Sequence, residues 1–68
     1  MNLIVGNKLK KLRKQRKLTQ EHVADLLAIS QSAYARIENG ESHSWASYIK
    51  KICKIFEIFP EELFNEDD

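Results

Sequence analysis

Three residues punctuate the middle of the chain: Thr19 and Ser30, each a good helix N-cap, and Gly40, which suits the left-handed turn that closes a helix. These marks leave room for two short helices, predicted over 20–27 and 31–39 with a break at Ala28 and Ile29. The first places Val23, Ala24 and Leu27 on one face and Gln20, Glu21 and Asp25 on the other. The second carries Ala33, Tyr34 and Ile37 as its apolar positions.

The flanking segments follow the same period. Val5, Leu9 and Leu12 recur at helical spacing with Ile4 beside them, which predicts a first helix over 5–17 whose other faces are basic. After a loop at 41–44, Trp45, Ile49, Ile52, Cys53 and Phe56 predict a fourth helix with Lys50, Lys51 and Lys54 outside. Pro60 suits a first helical turn, so 60–65 reads as a short fifth helix bearing Leu63 and Phe64. No strand pattern and no internal repeat competes. The reading is all-α: one compact five-helix domain over 1–65, followed by a disordered acidic tail at 66–68.

With 68 residues there is no room for a second core. A chain this small buries only about 60% of its unfolded surface, so pairing with a second copy would add stability. No phosphate-cradling glycine loop, paired catalytic carboxylates or nucleophile-base pair is visible, which argues against an enzyme. Cys53 has no disulfide partner, and His22 and His43 stand alone, so neither metal nor cofactor is expected. The apolar start at 3–5 is far shorter than a signal core or the roughly 20 residues of a span, which points to a soluble cytoplasmic protein with no membrane role.

The net charge of +1 hides an asymmetry, with seven bases and no acid in 1–17 and six acids and no base in 57–68. A basic stretch either meets phosphates or forms a solvated face, and charge alone does not choose. For Lys8 and Lys11 the plainer reading is solubility.

Two capped short helices joined by a tight turn, apolar on facing sides, describe a helix-turn-helix, with small Ala24 where the two cross. The exposed polar residues Gln31, Ser32 and Arg36 suit the edge of a helix that enters a major groove. Thr19-Gln20 opening one helix, Ser30-Gln31-Ser32 opening the next and Ile37-Glu38-Asn39-Gly40 closing it resemble the Cro/lambda-repressor-type helix-turn-helix family, or Xre family. The flanks 6–14 and 52–63 resemble the first helix and closing segment of that family, so the likeness covers about 5–64.

The resemblance implies a sequence-specific regulator of transcription that binds double-stranded DNA. Two copies would present recognition helices roughly 34 Å apart to a near-palindromic operator. Gln31, Ser32 and Arg36 match base-reading positions, glutamine suiting adenine and arginine guanine. Gln20, at a helix N-terminus, matches a phosphate contact, as do Asn39 and Gly40. Arg13 and Glu38 match a structural pair tying the first helix to the end of the third.

Some positions depart from the family pattern. Ala28 stands where glycine is usual, with turn strain of order 1 kcal/mol, and Ser44 stands where proline often opens the fourth helix. Trp45 is bulkier than usual. Tyr34 replaces an aliphatic residue, so its ring should pack with the hydroxyl at the rim. Cys53 replaces alanine and should behave as a small buried apolar group.

Phe56, Ile58, Phe59, Leu63 and Phe64 exceed the needs of one small core, which makes them either a homodimer surface or a cap over the domain itself. A restriction-modification controller, a phage-type repressor and an antitoxin all fit the regulator reading, with any small effector left open. A protein-interaction module that kept the fold without DNA binding is the alternative from another class.

Overall fold

The computed structural model describes residues 3–64. Its elements are α1 (Leu3–Gln15), α2 (Gln20–Leu27), α3 (Gln31–Glu38) and α4 (Ile49–Phe56), with 3-10 segments at Ser44–Tyr48 and Pro60–Phe64. No strand occurs among the described residues. The acidic stretch 66–68, expected to be disordered, lies outside them.

The two short helices start where their caps dictate. Thr19 Oγ1 accepts the His22 N–H at 3.0 Å, and Ser30 Oγ accepts the Ala33 N–H at 3.1 Å. Each bond satisfies one of the donors that a helix N-terminus leaves unpaired.

All four α-helices end in one way. A left-handed residue follows each, Lys17, Ala28, Gly40 or Glu57, with φ of 58°, 61°, 76° and 55°. The next N–H then reaches back to the helix: Leu18 to the Arg13 carbonyl at 3.0 Å, Ile29 to Ala24 at 3.0 Å, Glu41 to Arg36 at 2.9 Å and Ile58 to Cys53 at 3.0 Å. This is the Schellman closure. Ala28 takes the left-handed conformation at a cost of about 1 kcal/mol, and Lys17 and Glu57 carry the same penalty. Packing offsets it, because Leu18, Ile29 and Ile58 are each half-buried against the core.

Helices of eight residues do not persist alone in water, so α2, α3 and α4 depend on a common core. That core holds Val5 and Leu9 of α1, Val23, Ala24 and Leu27 of α2, Tyr34 and Ile37 of α3, Ile52 and Phe56 of α4, and Leu63. Two glycines allow close approach within it. A Cβ on Gly6 would lie 2.8 Å from the Ile37 carbonyl oxygen and closer still to that of Glu38, so α1 touches the backbone of the end of α3. Gly40 has φ +76°, and a Cβ there would meet the Leu3 side chain at 2.7 Å.

Several expectations need correction. The fifth helix is a 3-10 segment, with the Glu62 N–H on the Phe59 carbonyl at 3.0 Å and the Glu62 carboxylate taking the Phe59 N–H at 2.9 Å. The helix expected from Trp45 becomes α-helical only at Ile49. Before it, Ser42 Oγ accepts the Ser44 N–H at 3.1 Å and the chain winds as 3-10. Tyr34 is wholly buried, hydroxyl included, because its ring points under α3 toward Glu38 and Arg13. Cys53 is half-buried only. Phe56 and Leu63 are 0% exposed and belong to the domain's own core, which removes them from any dimer surface. Phe59 and Phe64 remain exposed at 72% and 48%, and Phe64 meets Trp45 edge-on at 5.6 Å.

Candidate nucleic-acid interface

The amphipathic pattern of α3 sorts its side chains into two roles. Tyr34, Ile37 and Glu38 are buried, while Gln31, Ser32, Ala33 and Arg36 are exposed. The exposed face is short, polar and able to donate and accept hydrogen bonds, and the buried face fixes its direction.

Beneath that face runs a connected polar chain. Arg13 Nε donates to Glu38 Oε2 at 2.7 Å, Nη2 to Oε1 at 3.3 Å, and Nη1 to the Leu18 carbonyl at 2.9 Å. Gln20 Nε2 donates to Glu38 Oε1 at 3.1 Å, and Gln31 Nε2 donates to Gln20 Oε1 at 3.4 Å. The chain passes from α1 through the buried end of α3 to the start of α2 and back to the start of α3. Arg13 and Glu38 thus meet as a two-bonded pair, and Gln20 joins them to Gln31.

The electrostatics follow from this packing. Burial alone would raise the Glu38 carboxyl, but hydrogen bonds from Arg13 and Gln20, the nearby Tyr34 hydroxyl and the charge of Arg13 outweigh it and hold the group below the usual carboxylate range. The Glu38 hydrogen bond raises the Arg13 guanidinium in turn. Burial pushes the Tyr34 phenol well above its ordinary value, with Glu38 adding to the shift. Its hydroxyl lies in the field of the pair without a hydrogen bond of good geometry.

The other site residues are placed as follows. The side chain of Gln20 is engaged inside the network, so an incoming anion would meet chiefly the N-terminus of α2. Asn39 is exposed, with its N–H on the Ala35 carbonyl at 3.0 Å. Gly40 is buried and its N–H is bound to the Ile37 carbonyl at 3.1 Å.

Three residues make contacts that the sequence pattern does not single out. Arg16 donates to the Phe56 carbonyl, lies 3.5 Å from the Glu57 carboxylate and stacks 5.9 Å from the Phe56 ring, joining the ends of α1 and α4. Nothing in the basic run distinguishes it from its neighbours. Gly6 was legible as a glycine inside a helical pattern, a sign of close approach. Glu41 lies 3.9 Å from Arg36 Nε, with both side chains more than half exposed.

The fold and this polar face define a small all-helical domain that presents one short helix to solvent from a rigid base. The helix-turn-helix domain family matches residues 6–68, and the chain belongs to that family, in its Cro/lambda-repressor (Xre) type. Control protein C.MunI of a Mycoplasma species is 39% identical over 62 residues, 90% of this chain and 84% of that protein. Antitoxin PezA of Streptococcus pneumoniae serotype 4 is 34% identical over 64 residues, 94% of this chain and 40% of that protein. The HTH-type transcriptional activator BcrR of Enterococcus faecalis is 33% identical over 63 residues, 93% of this chain and 31% of that protein. The chain therefore spans less than half the length of the latter two relatives. No solved structure matches it significantly.

Proposed function

We propose that this protein is a sequence-specific regulator of transcription that binds double-stranded DNA through a helix-turn-helix made of α2 and α3. The observation that carries the reading is the exposed face of α3, where Gln31, Ser32 and Arg36 stand on a helix whose opposite side is locked into the core. Side chains of this length and polarity reach base edges in a major groove; glutamine pairs with adenine and arginine with guanine. The N-terminus of α2 at Gln20 and the exposed Asn39 beside Gly40 hold phosphates and set the register.

In this reading residues 1–65 act as one domain and bind as a homodimer to a near-palindromic operator. The surface left for that pairing is the exposed Phe59 and Phe64, with the outer side of Ile58, which is half-buried against the core. The likeness to a control protein over 84% of its length favours a controller among the regulator types.

Selection of bound duplexes from a random pool, followed by a salt titration on the winner, tests the reading. The expected result is a two-fold-symmetric consensus and an affinity that falls steeply as salt rises. Absence of binding at low salt would overturn it in favour of a protein-interaction module. Sedimentation with and without the selected duplex tests the pairing, which a strict monomer under both conditions would exclude.

A further inference from the structure

Four helix ends share one backbone turn, and one of them departs in chemistry. At three, the residue after the left-handed position is apolar and half-buried: Leu18, Ile29 and Ile58. At the end of α3 it is Glu41, which is exposed. A Schellman turn folds this residue back over the one five positions earlier, where an apolar contact usually forms. Here the earlier residue is Arg36, and the contact is Glu41 Oε1 to Arg36 Nε at 3.9 Å. The Glu41 N–H on the Arg36 carbonyl at 2.9 Å, together with the left-handed Gly40, holds the two residues in register.

We propose that Glu41 is a positioning residue that sets sequence specificity through Arg36, an inference that rests on the DNA-reading function argued above. The carboxylate faces Nε, which leaves both terminal amines of the guanidinium to fork onto the O6 and N7 acceptors of a guanine. Glu41 is also the sole formal charge between Asn39 and Lys50 with histidine neutral, and it adjoins the proposed phosphate contact at Asn39. Its negative charge opposes sequence-independent attraction to any duplex backbone. A duplex that offers guanine to Arg36 recovers the lost attraction, and one that does not is rejected.

The test is Glu41→Gln, which keeps the shape and removes the charge. Affinities are measured for the duplex that the wild type selects and for a scrambled duplex of equal length and composition. The expected result is tighter binding to the scrambled duplex, by about threefold to tenfold, with a smaller change on the selected one. Preference for guanine at the position read by Arg36 should weaken, and in an Arg36→Ala background Glu41→Gln should no longer alter base preference. Equal changes on both duplexes, or the same loss of preference without Arg36, would overturn the role. A wild type that selects normally while Glu41→Gln behaves identically removes this inference alone. A wild type that selects no duplex removes the regulator reading and this one with it.

Discussion

The last turn of α3 carries two arginine-glutamate contacts that differ in almost every respect but chemistry. Arg13 and Glu38 meet at 2.7 Å with side chains 11% and 1% exposed, while Arg36 and Glu41 stand 3.9 Å apart at 65% and 54%. The inner pair is largely shielded from water and is held by further bonds from Gln20 and to Leu18, so removing one partner leaves the charge of the other uncompensated. The exposed pair keeps its water, contributes little to folding and stays free to exchange one partner for another. One pair fixes where α3 lies; the other faces what α3 could meet.

The largest expected effect comes from breaking the buried pair. Arg13→Ala leaves Glu38 as an unpaired buried charge and should lower unfolding stability by about 3–5 kcal/mol in a denaturant titration. For a domain of this size that is much of the total. Replacing both partners with apolar residues of similar volume, Arg13→Met with Glu38→Leu, should return stability to within about 1–2 kcal/mol of the wild type. A double variant as unstable as Arg13→Ala would show that the pair does more than neutralise itself.

Acid should sharpen the contrast. Because the folded Glu38 carboxyl lies below its unfolded value of about 4.3, its contribution is complete above that value and is lost as pH falls through the folded one. Stability measured from about pH 5 downward should therefore decline, and Glu38→Gln should remove part of that slope. The smallest effect belongs to the exposed pair: Glu41→Gln should change unfolding stability by less than about 0.5 kcal/mol. A loss of 2 kcal/mol or more would place Glu41 in the scaffold instead.

The two pairs were not equally legible in the amino-acid sequence. Helix order, the caps at Thr19 and Ser30 and the left-handed end at Gly40 follow from local chemistry and were readable. The left-handed turn at Ala28 could be anticipated only through the family resemblance, and those at Lys17 and Glu57 carry no local mark, since side-chain identity there is overruled by the apolar residue that follows. Phe56 and Leu63 could not be told from Phe59 by composition, because period alone does not say which side of a short terminal segment the core occupies. The rim position expected for the Tyr34 hydroxyl does not hold, because the space beneath α3 takes the whole side chain. The contact of Glu41 with Arg36 has no mark in the sequence because a backbone turn makes it, which a pattern of side chains does not record.

The missing side chain at Gly6 has a consequence for motion. With no atoms between the first helix and the carbonyls of Ile37 and Glu38, the two segments have no slack through which one could slide while the other stays in place. Amide protons across both should exchange with deuterated solvent through a common opening event, at rates that converge as denaturant is added. A helix clamped in this way has little backbone freedom left, and any adaptation on contact with another molecule must come from its side chains.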